Sequence, residues 1–292
     1  MNPPLRWLRP LALAVLWPVS VPAAAPLPPD AVMEQKGEFH VQWLPKAFTS
    51  NPTLEMTVFS ELTPYGRTLP EVTAAHPVYF VAHDEGYHPM GDIIGEHPPL
   101  PSELERSVYA ALADRGYLPA TDAAHPPGLV LFFFWGSHNA FDLDQARLFP
   151  ELNVKQILER ATLVGGRAYT RKLGQEMDFG STVLDHSAKQ DYLRYQAAHD
   201  IYYVVLSAYD YAGVARGERK LAWRTSMTVN ANGVSMRESL PVLVATGSFY
   251  FGRDSGEPLA LRRDVHRGAV KLGPLRIIQE DVPLPADSAR KK

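Results

Sequence analysis

The stretch PPLPSELERSVYAALADRGYLPA, residues 98–120, decides the fold, because it lies between two apolar runs of strand length. Ser102 and Glu105 match a capping box, in which the serine oxygen accepts a free backbone N–H and the glutamate reaches back. Leu104, Val108, Ala111 and Leu112 recur at helical spacing and form one apolar stripe. Gly116 stands where a left-handed residue ends a helix, and Pro119 prevents continuation. On either side lie VYFVA (78–82) and LVLFFFW (129–135). The second does not alternate, so it should be buried on both faces. A strand, a helix and a strand in succession predict a parallel pair with a right-handed crossover.

Outward from this unit, EFHVQWL (38–44) and LEMTVFSEL (54–62) are further strand candidates. IYYVVLSAYDY (201–211) and LAWRTSMTVN (221–230) form a long β-hairpin around AGVARGERK. Residues 144–198 are polar and read as a helical insertion. SMRESLPVLVATG (235–247) reads as a last helix with Ser235 and Glu238 as its capping box, and with a kink or later start at Pro241. SFYF (248–251) reads as core packing, and a short strand is expected near AVKLGPLRII (269–278). The expected class is α+β: a mixed sheet with a βαβ unit, a long β-hairpin and a helical insertion packed on it.

Composition bounds the function. The 292 residues are 46% hydrophobic and 21% charged, enough for a sizeable core. A formal net charge of −3 lacks the basic excess of a nucleic-acid binder. Arg6 and Arg9 precede the apolar run LALAVLWPVSV (11–21) and the small residues PAAA, the pattern of a secretory signal peptide. That run is shorter than the ~20 residues a membrane-spanning helix needs. Cleavage after Ala23 gives residues 1–23 as signal peptide, 24–37 as proline-rich linker, 38–280 as a single domain and 281–292 as a charged tail. The absence of cysteine excludes disulfides, thiolate metal sites, cysteine nucleophiles and thioether lipid anchors. The expectation is a periplasmic or secreted protein with no transmembrane segment in the mature chain and no cofactor.

Three pieces together resemble a family of small bacterial envelope proteins, often lipoproteins, grouped as a domain of unknown function. They are the helix ending in Arg115, Gly116 and Tyr117, the apolar strand after it, and the hairpin whose return strand carries Leu221, Trp223 and Arg224. The likeness covers about half the chain. It implies an envelope location and a small α+β core, and it carries no activity or catalytic residues. The chain departs from the family in lacking a lipid-bearing cysteine and in its longer helical stretch.

Standard catalytic motifs are missing. LVGGRAY (163–169) lacks the spacing and the Lys-Ser/Thr that cradle phosphate, and Gly247-Ser248 lacks the second glycine of a nucleophile elbow. Asp142 and Asp144 read as the start of a helix. The run after Ala82 holds His83, Asp84, Glu85, His88, Asp92, Glu96 and His97 among glycines and prolines, and reads as a polar loop. If strands 78–82 and 129–135 are parallel, they end at one edge, where ligands of open α/β sheets bind. His83 and His138 with Asp84 or Asp142 are then the candidate metal ligands, requiring two imidazole nitrogens about 2 Å from one point. The leading expectation is an exported envelope protein, a non-enzymatic binding or scaffolding module for an envelope protein or small ligand. The alternative is a metal-assisted hydrolase at that edge, and a third reading is a carrier of small apolar ligands.

Overall fold

The computed structural model describes residues 52–91, 93, 96–140, 150–178 and 188–265. Its centre is a seven-stranded mixed sheet: β1 (Thr53–Leu62), β2 (Val78–Tyr87), β3 (Tyr117–Pro119), β4 (Leu129–His138), β5 (Ile201–Asp210), β6 (Leu221–Asn230) and β7 (Leu259–Asp264). The strands lie in the order β3-β2-β4-β5-β6-β1-β7. β2 is parallel to β3 and β4, and every other pairing is antiparallel. With five α-helices among the described residues, the fold is α+β as the pattern predicts.

One face of the sheet carries the main core. The α1 helix (Pro101–Ala113) lies there beside α5 (Met236–Gly247), and the two contact each other. Leu104, Val108 and Leu112 of α1 meet Leu240, Leu243 and Val244 of α5 over Leu131, Phe133, Val204, Leu206 and Met227. Tyr250 and Phe251 close this layer, as expected for SFYF.

The ends of these helices separate two kinds of start signal. Ser235 caps α5 as predicted, its Oγ accepting from the Glu238 N–H at 3.2 Å, and Pro241 inside the helix does not delay the start. Ser102 does not cap α1: the helix begins one residue earlier, at Pro101, after an extended Leu100. Proline at the first position has its φ preset and no N–H to satisfy, so the proline outcompetes the box. Gly116 adopts φ +86° as its stop position requires. A Cβ there would also lie 2.6 Å from the Thr73 carbonyl oxygen. The chain then enters β3 at once, a short strand not expected from the sequence.

On the opposite face the insertion supplies α2 (Pro150–Asp178) and α3 (Ala188–Ala198). α2 is not one rod. Gly166 has φ 69° and ψ −174°, and the chain doubles back there. Thr162 and Thr170 consequently share a hydrogen bond of 2.9 Å, and Leu158 touches Gly174. The two glycines rejected as a phosphate loop are this reversal: a Cβ on Gly166 would run into the Phe59 ring. Ala161, Val164, Tyr169, Leu173, Leu193, Ala197 and Ile201 form a second, smaller core.

Two further differences concern strands. β2 does not stop at Ala82 but runs through the His-Asp-Glu residues to Tyr87, with a bulge between Asp84 and Gly86. β7 was not expected, and α4 (Tyr211–Ala215) occupies part of the hairpin loop. The expected strands at 38–44 and 269–278, the signal peptide, the linker and the tail lie outside the described residues, as do Asp142 and Asp144.

Candidate functional site

β2 and β4 are parallel and do end at one edge, but the extra length of β2 changes what meets there. His83 pairs with Phe132, whereas His138 is bridged by Met90. Six residues of β4 separate those positions, about 20 Å at the strand rise. His83 and His138 therefore do not converge on one ion, which corrects the expected convergence at this edge. Asp84 is engaged locally: its Oδ1 accepts the Gly86 N–H at 2.7 Å and holds the bulge. Among the described residues no group of three or more His, Asp or Glu side chains could hold a metal ion.

The segment after β2 is pinned rather than open. The Met90 N–H donates to the Ser137 carbonyl at 2.7 Å, and the Tyr203 hydroxyl donates to the His88 carbonyl. Glu96 is the residue of this run that sequence reasoning missed. Its Oε1 accepts the Met236 N–H at 2.8 Å, and its Oε2 accepts the Tyr202 hydroxyl. It thus satisfies a free donor at the start of α5 and places negative charge at the helix N-terminus. Nothing local in the sequence marks Glu96, because both partners are over a hundred residues away.

His138 is buried under the insertion, 1% exposed, in a polar cluster. Arg160 of α2, also 1% exposed, donates from Nε to the Ala197 carbonyl and from Nη1 to the Asn139 carbonyl, the latter at 2.6 Å. Asp200 accepts the Ala140 N–H nearby. Burial first, and then the Arg160 charge, push the His138 imidazole down to about 4. It is neutral at neutral pH, its Nδ1 lies 3.3 Å from the Asn139 carbonyl, and it is Arg160, bonded to that same carbonyl, that ties the end of β4 to the insertion.

The remaining surface is the half of this same face that the insertion leaves open. α2 packs on β1 and β6, and α3 on β7. Over β2, β4 and β5 the face presents rings. His83 is exposed, with its ring centroid 5.8 Å from that of Phe132, and Phe132 lies 5.7 Å from Tyr209. His88 lies 5.5 Å from Phe134, and Tyr79 lies 4.5 Å from His125. Val81 is exposed at its centre. One row crosses five strands in register: His83, Phe132, Ser207, Arg224 and Glu61. This strip sets aromatic and charged side chains next to one another across five strands.

The class so defined is an α+β protein with a mixed sheet, one face packed by two helices and the other half covered. No family model matches the chain, and no curated protein matches it in sequence. Among solved structures, it is similar to a PelC dodecamer from Paraburkholderia phytofirmans. The identity is 8%, covering 68% of this chain and 98% of that one, with a TM-score of 0.32. A second PelC dodecamer structure from that organism aligns at 11% identity with the same coverage and a TM-score of 0.31. A PDZ domain protein from Parabacteroides distasonis aligns at 9% identity over 73% of this chain and 39% of that chain, with a TM-score of 0.37. At these scores the alignments carry no functional argument, and the reading rests on the site itself.

Proposed function

We propose that this chain is an exported envelope protein acting as a non-enzymatic binding or scaffolding module, with the open half of the sheet as its contact surface. The observation that supports this is the strip of exposed Val81 and His83 beside half-buried Phe132 and Phe134, where no helix of the described residues covers the sheet face. Half-exposed rings on a rigid sheet lose little conformational freedom on binding, which favours recognition. Among the described residues no helix is long and apolar enough to cross a membrane. The apolar N-terminal run after Arg6 and Arg9 supports export.

A photo-crosslinking residue placed at His83 should capture an envelope component in cells. The same residue at Leu152, exposed on the insertion, should not. Equal adducts at both positions, or none at His83, would remove the open face from the proposal. N-terminal sequencing of protein from a secreting host should begin near Ala24, and an intact Met1 would refute export.

A further inference from the structure

The Trp-Arg pair on β6 sends its two side chains to opposite faces of the sheet. Trp223 is buried in the main core, so Arg224, the next residue, faces the opposite side of the sheet, where the insertion borders the open half. There it is half-buried as the fourth member of the five-strand row, with Ser207 on one neighbouring strand and Glu61 on the other. Its Nε donates to the Ser207 Oγ at 2.9 Å, and one Nη2 hydrogen reaches the Tyr209 hydroxyl at 3.5 Å. These bonds fix the guanidinium plane and leave Nη1 without a protein acceptor among the described residues. No carboxylate there lies within ion-pairing distance of Arg224, although Glu61 is its register partner. Tyr209, whose hydroxyl that bond reaches, pairs edge-to-face with Phe132 one strand further on.

We propose that Arg224 anchors an oxyanion-binding site at the border of the open face, taking the carboxylate or phosphate of a ligand whose ring lies against Phe132 and Tyr209. This rests on the reading of that face as the contact surface and names the chemistry it selects. A guanidinium is charged at every relevant pH and offers a planar fork that matches carboxylate and phosphate oxygens. Here it is partly desolvated, pre-oriented by Ser207, and lacks a counter-ion among the described residues, so an arriving oxyanion gains a charge-assisted bond with little ordering cost. The two rings supply the apolar contact that a free inorganic anion could not use. His83 lies three strands away, about 14 Å at the usual strand spacing, so the same oxyanion cannot reach it. The anchor is Arg224 alone.

The test is titration of the purified protein with benzoate and with phenyl phosphate, followed by nitrogen-15 NMR of the Arg224 side chain and the Tyr209 amide. Benzyl alcohol and inorganic phosphate serve as controls. Both aromatic anions should bind saturably, with a dissociation constant on the order of 1 mM, and whichever binds tighter tells carboxylate from phosphate. Inorganic phosphate should bind at least tenfold more weakly, because it lacks the ring. Arg224→Gln should weaken the anions at least tenfold, while Arg224→Lys, which keeps the charge without the fork, should fall between. In the wild type alone, binding should weaken as salt is raised and the shifted signals should map to Arg224 and Tyr209. That result stands even if a variant folds poorly.

The proposal fails if neither anion saturates, if benzyl alcohol binds as well as they do, or if the shifts map elsewhere. It also fails if a folded Arg224→Gln binds like wild type. Should the anions fail while a crosslinker at His83 still captures its partner, only the oxyanion assignment falls. Failure of both removes the contact surface as well.

Discussion

The two faces of one sheet are built on different principles. The face under α1 and α5 is a continuous apolar layer from Leu54 to Leu261, and its largest members, Trp135, Trp223 and Tyr202, are all but inaccessible. The face under the insertion has a small apolar patch beside Arg160, His138, Gln196 and Asn230, all buried and polar. Apolar burial is non-directional and tolerates imperfect geometry, whereas a buried guanidinium requires each of its acceptors to be in place. The first face should therefore set global stability, and the second should respond to conditions.

The largest expected effect breaks the first face. Leu240→Ala removes a fully buried side chain between α5 and the sheet and should cost about 4 kcal/mol by denaturant titration. The matching deletion in the small core, Leu193→Ala, should shift the global midpoint less. It should show chiefly as faster hydrogen exchange in α2 and α3 with the sheet protected. Equal global losses would erase the distinction between the faces.

The next effect is a pH dependence confined to the second face. His138 has its folded value lowered to about 4 from an ordinary value of 6.5. As pH falls through 6.5 the unfolded chain takes up the proton first, so stability declines until the folded value is reached and this contribution is then spent. Within that window each pH unit costs about 1.4 kcal/mol, or a factor of ten in the folding equilibrium. His138→Gln should flatten the slope, a difference visible in denaturant midpoints taken at about pH 7, 5.5 and 4.5.

Smaller effects test two glycines against each other. Gly116→Ala meets both a left-handed backbone and the Thr73 carbonyl 2.6 Å away, and should cost about 2 kcal/mol. Gly86, at φ +90°, has nothing within 4 Å of an added Cβ. Gly86→Ala should cost only the conformational part, about 1 kcal/mol. Thermal midpoints of the two variants check the ordering, and reversal would mean the bulge at Asp84 matters more than the helix stop.

The parts of this fold legible in the sequence are those whose signals are local. α1, β4, the β5–β6 hairpin and the Ser235 cap each carry their periodicity or stop chemistry within a dozen residues. The parts missed depend on distant partners. β2 continues through His83–Tyr87 because β4 offers it a ladder, and a polar edge strand with a bulge has no apolar alternation to announce it. The Gly165–Gly166 reversal is readable only once Phe59 and Pro258 are known to press on it. The candidate site divides the same way. His83 is legible as a candidate and lies on the open face, Arg224 is marked only as half of a motif, and Glu96 stands in the polar run with nothing local to show its two distant partners.

The reversal in α2 also bears on how the chain can fold. β4 and β5 are adjacent antiparallel partners, yet about sixty residues lie between His138 and Ile201, and closing so long a loop is entropically costly. A hairpin of two helices that turns back at Gly166 returns the chain to within reach of its starting point using contacts close in sequence, such as Thr162 with Thr170. Local pairing of that kind can form before the strands meet and shorten the effective loop they must close. Stiffening Gly166 would then slow the zipping of β4 onto β5, a kinetic signature quite apart from the stability of the finished sheet.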